Sequence, residues 1–600
     1  MDRNQDYDLA RPVGPVQGMR QGLTSYGDAH FSLFLRKVFI KALGYSEDAL
    51  SRPIVGIVNT YSSFNPCHAN IPQLIDAVKR GVQLAGGLAI DFPTISLHES
   101  FAAPTSMFLR NLMSMDTEEM IRAQPVDAVV LIGGCDKTAP AQLMGGISAN
   151  KPILHLVTGP MMPGNHRGVR IGACTDCRNN WASYRAGTID IEEIGMINEE
   201  LAPTYSMEWL GIFTLICYRL TNWKGWYLRR DGHSQHNGMH TRSARNDASK
   251  GSQTGATAVS MIQAGDALKP QALLTRESFL NAITVLQAIG GSTNAVVHLM
   301  AIINRHPQVA GSITLDTFDE IGRKTPLLVD LKPSGSNYMT DFHNSGGMAA
   351  LLRELRPLLH LQAMTGELLD AEPAIPIPRG LSCIAPLSDP LYPASSLVML
   401  RGNLAPRGAV MKASASKNRA LLSHSGPAVV FAGSADLAAR IDSDDLDVAP
   451  DSVLVLQNIG PIGNPGMPEA GLIPIPRKLA AQGVQDMLRI SDGRMSGTAG
   501  GTIVLHVAPE AANPNSVLGI VRDGDIITVD VEARVLRVEL SDEEILMRTV
   551  NRMGERKEEG SDPWVARRRM RGYRGLYMRE VNQADQGADF EFLTAEGPLE

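Results

Sequence analysis

The run from Asp127 to Leu143, "DAVVLIGGCDKTAPAQL", decides how the rest of the chain is read. Ala128 to Ile132 is an unbroken run of small, branched and apolar residues, as expected of a strand covered by helices on both faces. Gly133 and Gly134 then let the backbone turn sharply. Behind the turn stand Cys135, Asp136 and Lys137 in a row, at the mouth of whatever fold the strand belongs to.

Similar runs lie on either side: "RPIVGIVNTY" (52–61), "PTISLHES" (93–100) and "KPILHLVTG" (151–159). They alternate with helical patterns such as "TRESFLNAITVLQAIGGSTNAVVHLMAIINRH" (275–306). Strands alternating with helices from about Phe31 to Leu361 predict an α/β layer architecture with a largely parallel sheet. Beyond roughly Glu372 the texture changes to short, Pro- and Gly-punctuated strands, which predicts a β-rich, barrel-like second domain. The chain therefore divides into an N-terminal α/β domain, 1–385, and a C-terminal β-rich domain, 386–600. The tail from Asp562 to Phe590 reads as a closing helix.

Composition sets broad limits. A chain of 600 residues is too long for one ordinary core. With 44% hydrophobic residues, 20% charged residues and a net charge of -7, it has a soluble globular composition whose mild acidity argues against nucleic acid as a partner. No apolar run approaches the ~20 residues of a membrane span. The opening "MDRNQDYDLARPVGPV" has neither a signal-peptide nor a transit-peptide pattern, so a cytoplasmic location is expected. Six cysteines are too few for a disulfide framework.

In α/β folds, side chains at the carboxyl ends of parallel strands converge on one crevice. Cys67 in "NTYSSFNPCHANIP", His98 and Glu99 in "SLHES", and Cys135, Asp136 and Lys137 all follow strand-like runs. The Cys-Asp-Lys triplet reads either as a buried cysteine beside a solvated ion pair or as a mixed metal site, with soft sulfur for iron and hard oxygen for magnesium or calcium. Cys174 and Cys177 form a C-x-x-C with no zinc-finger partner motif and read as loop or packing cysteines. In the second half, "GNPGMPEAG" aims Glu469 from a Pro/Gly loop. "ISDGRMSGTAGGT" presents Ser491, Asp492, Arg494 and Ser496 in a turn where a serine could act as a base. "AIGGSTNAVVHL" reads equally as an anion site or as packing glycines.

Together "NPCHANIPQL", "GGCDKTAPAQLMG", "GACTDCRNNWASYRAG", "AIGGSTNAVVHL", "MTDFHNSGGM", "GNLAPRGAVMK", "NPGMPE" and "DGRMSGTAGG" resemble, in the same order, the dihydroxy-acid dehydratase and phosphogluconate dehydratase family. The likeness runs from about Pro12 to Asp589. The stretch "HESFAAPTSMFLRNLMSMDTEEMIRAQPVDAV" is more similar to the sugar-acid branch, the arabinonate and xylonate dehydratases, than to the branch of branched-chain amino-acid synthesis.

The resemblance implies a hydro-lyase that turns an aldonic acid into a 2-keto-3-deoxy acid. It implies a 2Fe-2S cluster, rather than 4Fe-4S, held by three cysteines with one iron open to substrate; Cys67 and Cys135 match two of the three. It implies Mg2+ held by Glu99, Asp136, Lys137 in carbamylated form, and Glu469, with Ser496 as the base that takes the C2 proton. The chemistry is coherent. Mg2+ on the carboxylate and C2 hydroxyl would stabilise the enediolate, and the open iron would act as Lewis acid on the C3 hydroxyl. A small hydroxy acid is then the only partner besides further copies of the chain, as a homodimer or homotetramer.

The chain departs from the family at one place. The third cluster cysteine belongs in a motif like "GTCxVMGTASTM" soon after "EELAPT", yet Thr204 is followed by a stretch whose one cysteine, Cys217, sits in an unrelated context, "TLICYRL". One set of codons for Trp226 to Ala244, read one nucleotide later, spells "GTCGVMGTASTMACILEA". Segment 203–253 therefore reads as aberrant, with the missing motif translated out of frame. An enzyme of branched-chain amino-acid synthesis, and an inactive binding or oligomerising paralogue, are the alternatives.

Overall fold

The computed structural model describes residues 17–46, 48–158, 163–172, 175–201, 239–363, 382–558 and 567–595. Strands β1 (Ile54–Asn59), β2 (Leu88–Pro93), β3 (Ala128–Gly133) and β4 (Ile153–Val157) form one sheet in the order β2-β1-β3-β4. Every pairing is parallel. β3 is buried along its whole length, which is why its sequence carries no polar alternation. The helices Ile71–Leu84, Ser106–Ala123 and Thr138–Ala149 connect successive strands. Thr105 starts the second of these by accepting the Met107 amide at 3.1 Å. A fourth helix, Met239–Ala264, crosses Ile71–Leu84 so closely that a Cβ on Gly255 would lie 2.2 Å from the Val78 carbonyl oxygen. A two-stranded ribbon, β5 (Gly164–His166) with β6 (Val169–Ile171), lies beyond β4.

The second half closes into an eight-stranded barrel. Its strands are β7 (Leu397–Gly402), β8 (Ala405–Lys412), β9 (Ser423–Phe431), β10 (Val453–Leu456), β11 (Arg489–Ser491), β12 (Ile503–Ala508), β13 (Ile526–Asp530) and β14 (Val535–Val538). They run in the order β10-β11-β12-β8-β7-β14-β13-β9. Val398, Leu400, Met411, Val453, Val455, Ile490, Val504 and Leu536 fill one continuous core. The fold is α/β overall, with the parallel sheet and β-rich barrel that the sequence predicts. Among the described residues no helix is long and apolar enough to cross a membrane.

The tail corrects one expectation. It is not a single closing helix: the helix spans Gly572–Glu580, and the chain then turns back on itself, with Val581 bridged to Phe590 and Gly587 at φ 108°. Tyr573, Tyr577 and Phe590 pack around Phe108 on the helix Ser106–Ala123. Arg305 clamps the returning chain through a buried ion pair to Asp589, at 2.6 and 3.1 Å. The aberrant reading of 203–253 falls, up to residue 238, outside the described residues.

Candidate active site and metal centre

The order β2-β1-β3-β4 contains one reversal: from β1 the chain first moves outward to β2 and then returns to the other side as β3. Ligand crevices open at such switch points, outside the carboxyl ends of the strands. Cys67 follows β1 on the short turn Pro66–His68, His98 and Glu99 follow β2, and Cys135 to Lys137 follow β3. Three loops distant in sequence are therefore brought side by side by topology alone.

His68 stitches the first and third loops together. Its Nε2 accepts the amides of Gly134 (3.1 Å) and Cys135 (3.3 Å), so Nδ1 carries the proton and donates to the Thr60 carbonyl at 2.8 Å. Burial pushes this imidazole down to about 4 against the Thr60 bond, so it stays neutral in that tautomer. The glycine that ends β3 is there for room: a Cβ on Gly133 would lie 2.5 Å from Thr138 Cγ2.

Cys67, His98 and Cys135 offer two sulfurs and an imidazole nitrogen that all lie within 4.8 Å of one another. Cys135 is buried and Cys67 half-buried. A side-chain hydrogen bond with Cys135 holds the Cys67 thiol down at about 6 against the push of burial, with His98 acting in the same direction. The same bond, with burial, pushes Cys135 well up. His98 is raised, chiefly by its bond to Cys67.

Beside the sulfurs is a carboxylate set. Burial pushes Glu99 up, but Arg494, Lys137 and the hydroxyls of Ser106 and Thr105 outweigh it and hold the acid at about 2. Arg494, itself buried, forks between Glu99 Oε1 (2.8 Å) and Glu469 Oε1 (2.5 Å). Lys137, fully buried, pairs with Asp136, and its Nζ is 4.0 Å from Glu469 Oε1. Arg178 approaches the other oxygen of Glu469 at 3.6 Å. Three carboxylates from three loops thus converge on two buried cations.

Glu469 and Ser496 arrive from the carboxyl ends of neighbouring parallel barrel strands, β10 and β11. Gly466, at φ 88°, presses the Glu469 loop onto the N-terminal half; a Cβ there would lie 2.5 Å from Phe108 Cβ and from Thr105 Cγ2. Asp492 accepts the amides of Ile459 (2.9 Å) and Ala511 (2.8 Å), pinning the turn that leads to Ser496. Ser496 Oγ lies 2.9 Å from Thr498 Oγ1, and Asn294 Nδ2 holds the Met495 carbonyl at 2.9 Å.

These contacts resolve several open readings. In "AIGGSTN" Gly290 takes φ 63° and Asn294 fixes the turn before Ser496. Cys177 is half-buried against Ile171, Ile197 and Leu201, as a packing cysteine; Cys174 lies outside the described residues. Thr105, Thr498 and Arg178 complete the site without being singled out by the motifs. A hydroxyl two residues after Ser496 in "SGT" was the available signal for Thr498.

The residues present fit two different groups by donor chemistry: soft sulfur and imidazole on one side, hard carboxylate oxygen on the other. The chain matches the family model "Dihydroxy-acid/6-phosphogluconate dehydratase N-terminal" over residues 52–370 and its C-terminal counterpart over 382–588. It belongs to the dihydroxy-acid/6-phosphogluconate dehydratase family. Within that family it is 40% identical to the 6-deoxy-6-sulfo-D-gluconate dehydratase of Pseudomonas putida, covering 92% of each chain. It is 37% identical to the L-arabinonate dehydratase of Rhizobium leguminosarum bv. trifolii, covering 95% of each. The dihydroxy-acid dehydratase of Moorella thermoacetica is more distant, 32% identical over 92% of this chain and 97% of its own. All three are named dehydratases, in keeping with a hydro-lyase.

Proposed function

We propose that this dehydratase removes water from an aldonic acid to give the 2-keto-3-deoxy acid. The observation that carries the reading is the junction of the Cys67–Cys135 pair with the carboxylates Glu99, Asp136 and Glu469, two of them bound by Arg494, two residues before Ser496. The sugar-acid choice is supported by the higher identity to the two sugar-acid dehydratases than to the dihydroxy-acid enzyme.

In this reading Cys67 and Cys135 would hold a 2Fe-2S cluster, and Glu99, Asp136, Lys137 and Glu469 would hold Mg2+. Bound, these groups would supply Lewis acidity toward the leaving C3 hydroxyl and toward the carboxylate whose α-proton is removed. Lys137 would join the Mg2+ set as a carbamate, its neutral amine adding to CO2 with loss of one proton. Ser496, as the alkoxide, takes the C2 proton, and Thr498 Oγ1 at 2.9 Å orients it. Arg494 balances the charge of Glu99 and Glu469 and helps hold Glu99 ionised. Loss of the C3 hydroxyl leaves an enol, which gains a proton at C3 to become the keto acid.

We also propose a homodimer or homotetramer. The helix Ala29–Ala42 supports this, since it exposes Phe31, Phe34, Val38 and Phe39, with Tyr26 stacked edge-on against Phe31. The competing reading, an inactive paralogue, is favoured by one observation, the absence of the third-cysteine motif after Thr204. Sequencing the transcript tests whether segment 203–253 is out of frame: a continuous frame through "WYLRRDGHSQ" with no alternative splice ends that idea. Comparing turnover of a pentonate with that of dihydroxyisovalerate tests the substrate class, and preference for dihydroxyisovalerate would overturn it.

A further inference from the structure

Resting on the cluster reading above, we infer that the imidazole of His98 is the third protein ligand of the iron-sulfur cluster in this chain. Two thiols leave such a centre one ligand short of the three that keep it anchored with one iron position open. Among the described residues the one group of three or more potential metal ligands that share a centre is Cys67, Cys135 and His98. Thiolate and imidazole bonds of about 2.3 and 2.0–2.1 Å let one metal ion span donors about 4.4 Å apart, and a two-iron cluster spans more. The trio, within 4.8 Å of one another, therefore lies close enough for a two-iron cluster to reach all three donors.

Chemistry and support agree with the geometry. Imidazole replaces thiolate on iron in two-iron clusters, so a mixed set is a known coordination type. His98 is held on the loop after β2, where the Phe101 ring lies 5.4 Å from its own and Phe64 lies tilted 6.3 Å from Phe101. The remaining cysteines do not compete within the described fold: Cys177 packs against Ile171 and Ile197, and Cys383 is buried in the N-terminal core. Glu99, the next residue, turns to Arg494 and leaves the sulfurs to His98.

The test uses the full chain, purified anaerobically and reconstituted with ferrous iron and sulfide, alongside His98→Ala, His98→Cys, Cys174→Ser and Cys217→Ser. Iron and acid-labile sulfide per chain are measured, then pulsed paramagnetic resonance of the reduced protein with 15N-labelled histidine. Thermal melting of each apoprotein confirms folding. The expected result is a strongly coupled histidine nitrogen in the wild type and several-fold loss of iron in His98→Ala. His98→Cys should recover the iron without the nitrogen signal and at a lower reduction potential, and both Cys→Ser variants should keep the cluster. A wild-type cluster with no coupled histidine nitrogen, or one lost in Cys174→Ser or Cys217→Ser but kept in His98→Ala, overturns the inference alone. A wild type that takes up no iron and sulfide overturns the cluster reading, and the inference with it.

Discussion

Arg494 Nη2 lies 2.8 Å from Glu99 Oε1, joining the barrel to the parallel-sheet layer across 395 positions of sequence. With its other nitrogen 2.5 Å from Glu469, one buried guanidinium holds two carboxylates from different halves of the chain. Removing it leaves two half-buried acids without their shared partner, which costs more than the pair itself contributes. Arg494→Met is expected to lower stability by about 3–5 kcal/mol, read as a lower urea midpoint. Arg494→Lys should recover only part of it, because one ammonium cannot fork to both acids.

Ser496 has a neighbour at hydrogen-bond distance, Thr498, and no role in the core. Ser496→Ala is expected to lower kcat by about 10²–10⁴-fold with an unchanged urea midpoint. Thr498→Val should give a smaller loss of the same kind. A drop in stability that matches the loss in rate would mean that the turn, not the hydroxyl, is what matters.

Asn294 acts at one remove, through its bond to the Met495 carbonyl. Asn294→Ala is expected to cost about 1–3 kcal/mol and to lower kcat while leaving iron content intact. Gly466→Ala should also destabilise, by about 1–3 kcal/mol, since φ 88° and the contact with Phe108 both oppose a Cβ.

His155, buried in β4 with Nε2 3.0 Å from Gln142 Oε1, gives a pH prediction. Burial pushes it down to about 3, so the folded chain keeps it neutral. Below the unfolded value of about 6.5 the unfolded state binds a proton that the folded state does not, and stability falls with pH at up to about 1.4 kcal/mol per unit for this group. Its contribution is present above pH 6.5 and is lost on acidification toward 3. The stability difference between wild type and His155→Gln is therefore expected to shrink as denaturation is repeated from pH 7 down to pH 5.

Much of this was legible in the sequence because it is local. The both-face apolar runs of β1 and β3 announce a covered parallel sheet, and the motifs after β1, β2 and β3 announce a shared crevice once the strands are taken as neighbours. What sequence could not supply is pairing at long range. The latch from His68 to Gly134 and the fork of Arg494 join residues tens to hundreds of positions apart, and no spacing rule encodes them. The tail misled for a physical reason: its helical composition continues past Glu580, but the burial of Phe590 against Phe108 and Tyr577 and the Arg305–Asp589 pair favour a return of the chain over another helical turn.

The most direct measurement is product formation in D2O by the anaerobically reconstituted, Mg2+-supplemented protein, followed by nuclear magnetic resonance on a panel of pentonates and hexonates. The account predicts that at least one sugar acid loses its C2 hydrogen and C3 hydroxyl and appears as a 2-keto-3-deoxy acid with one deuterium at C3. A protein that carries iron and sulfide yet converts none of the panel, or converts only dihydroxyisovalerate, would contradict it.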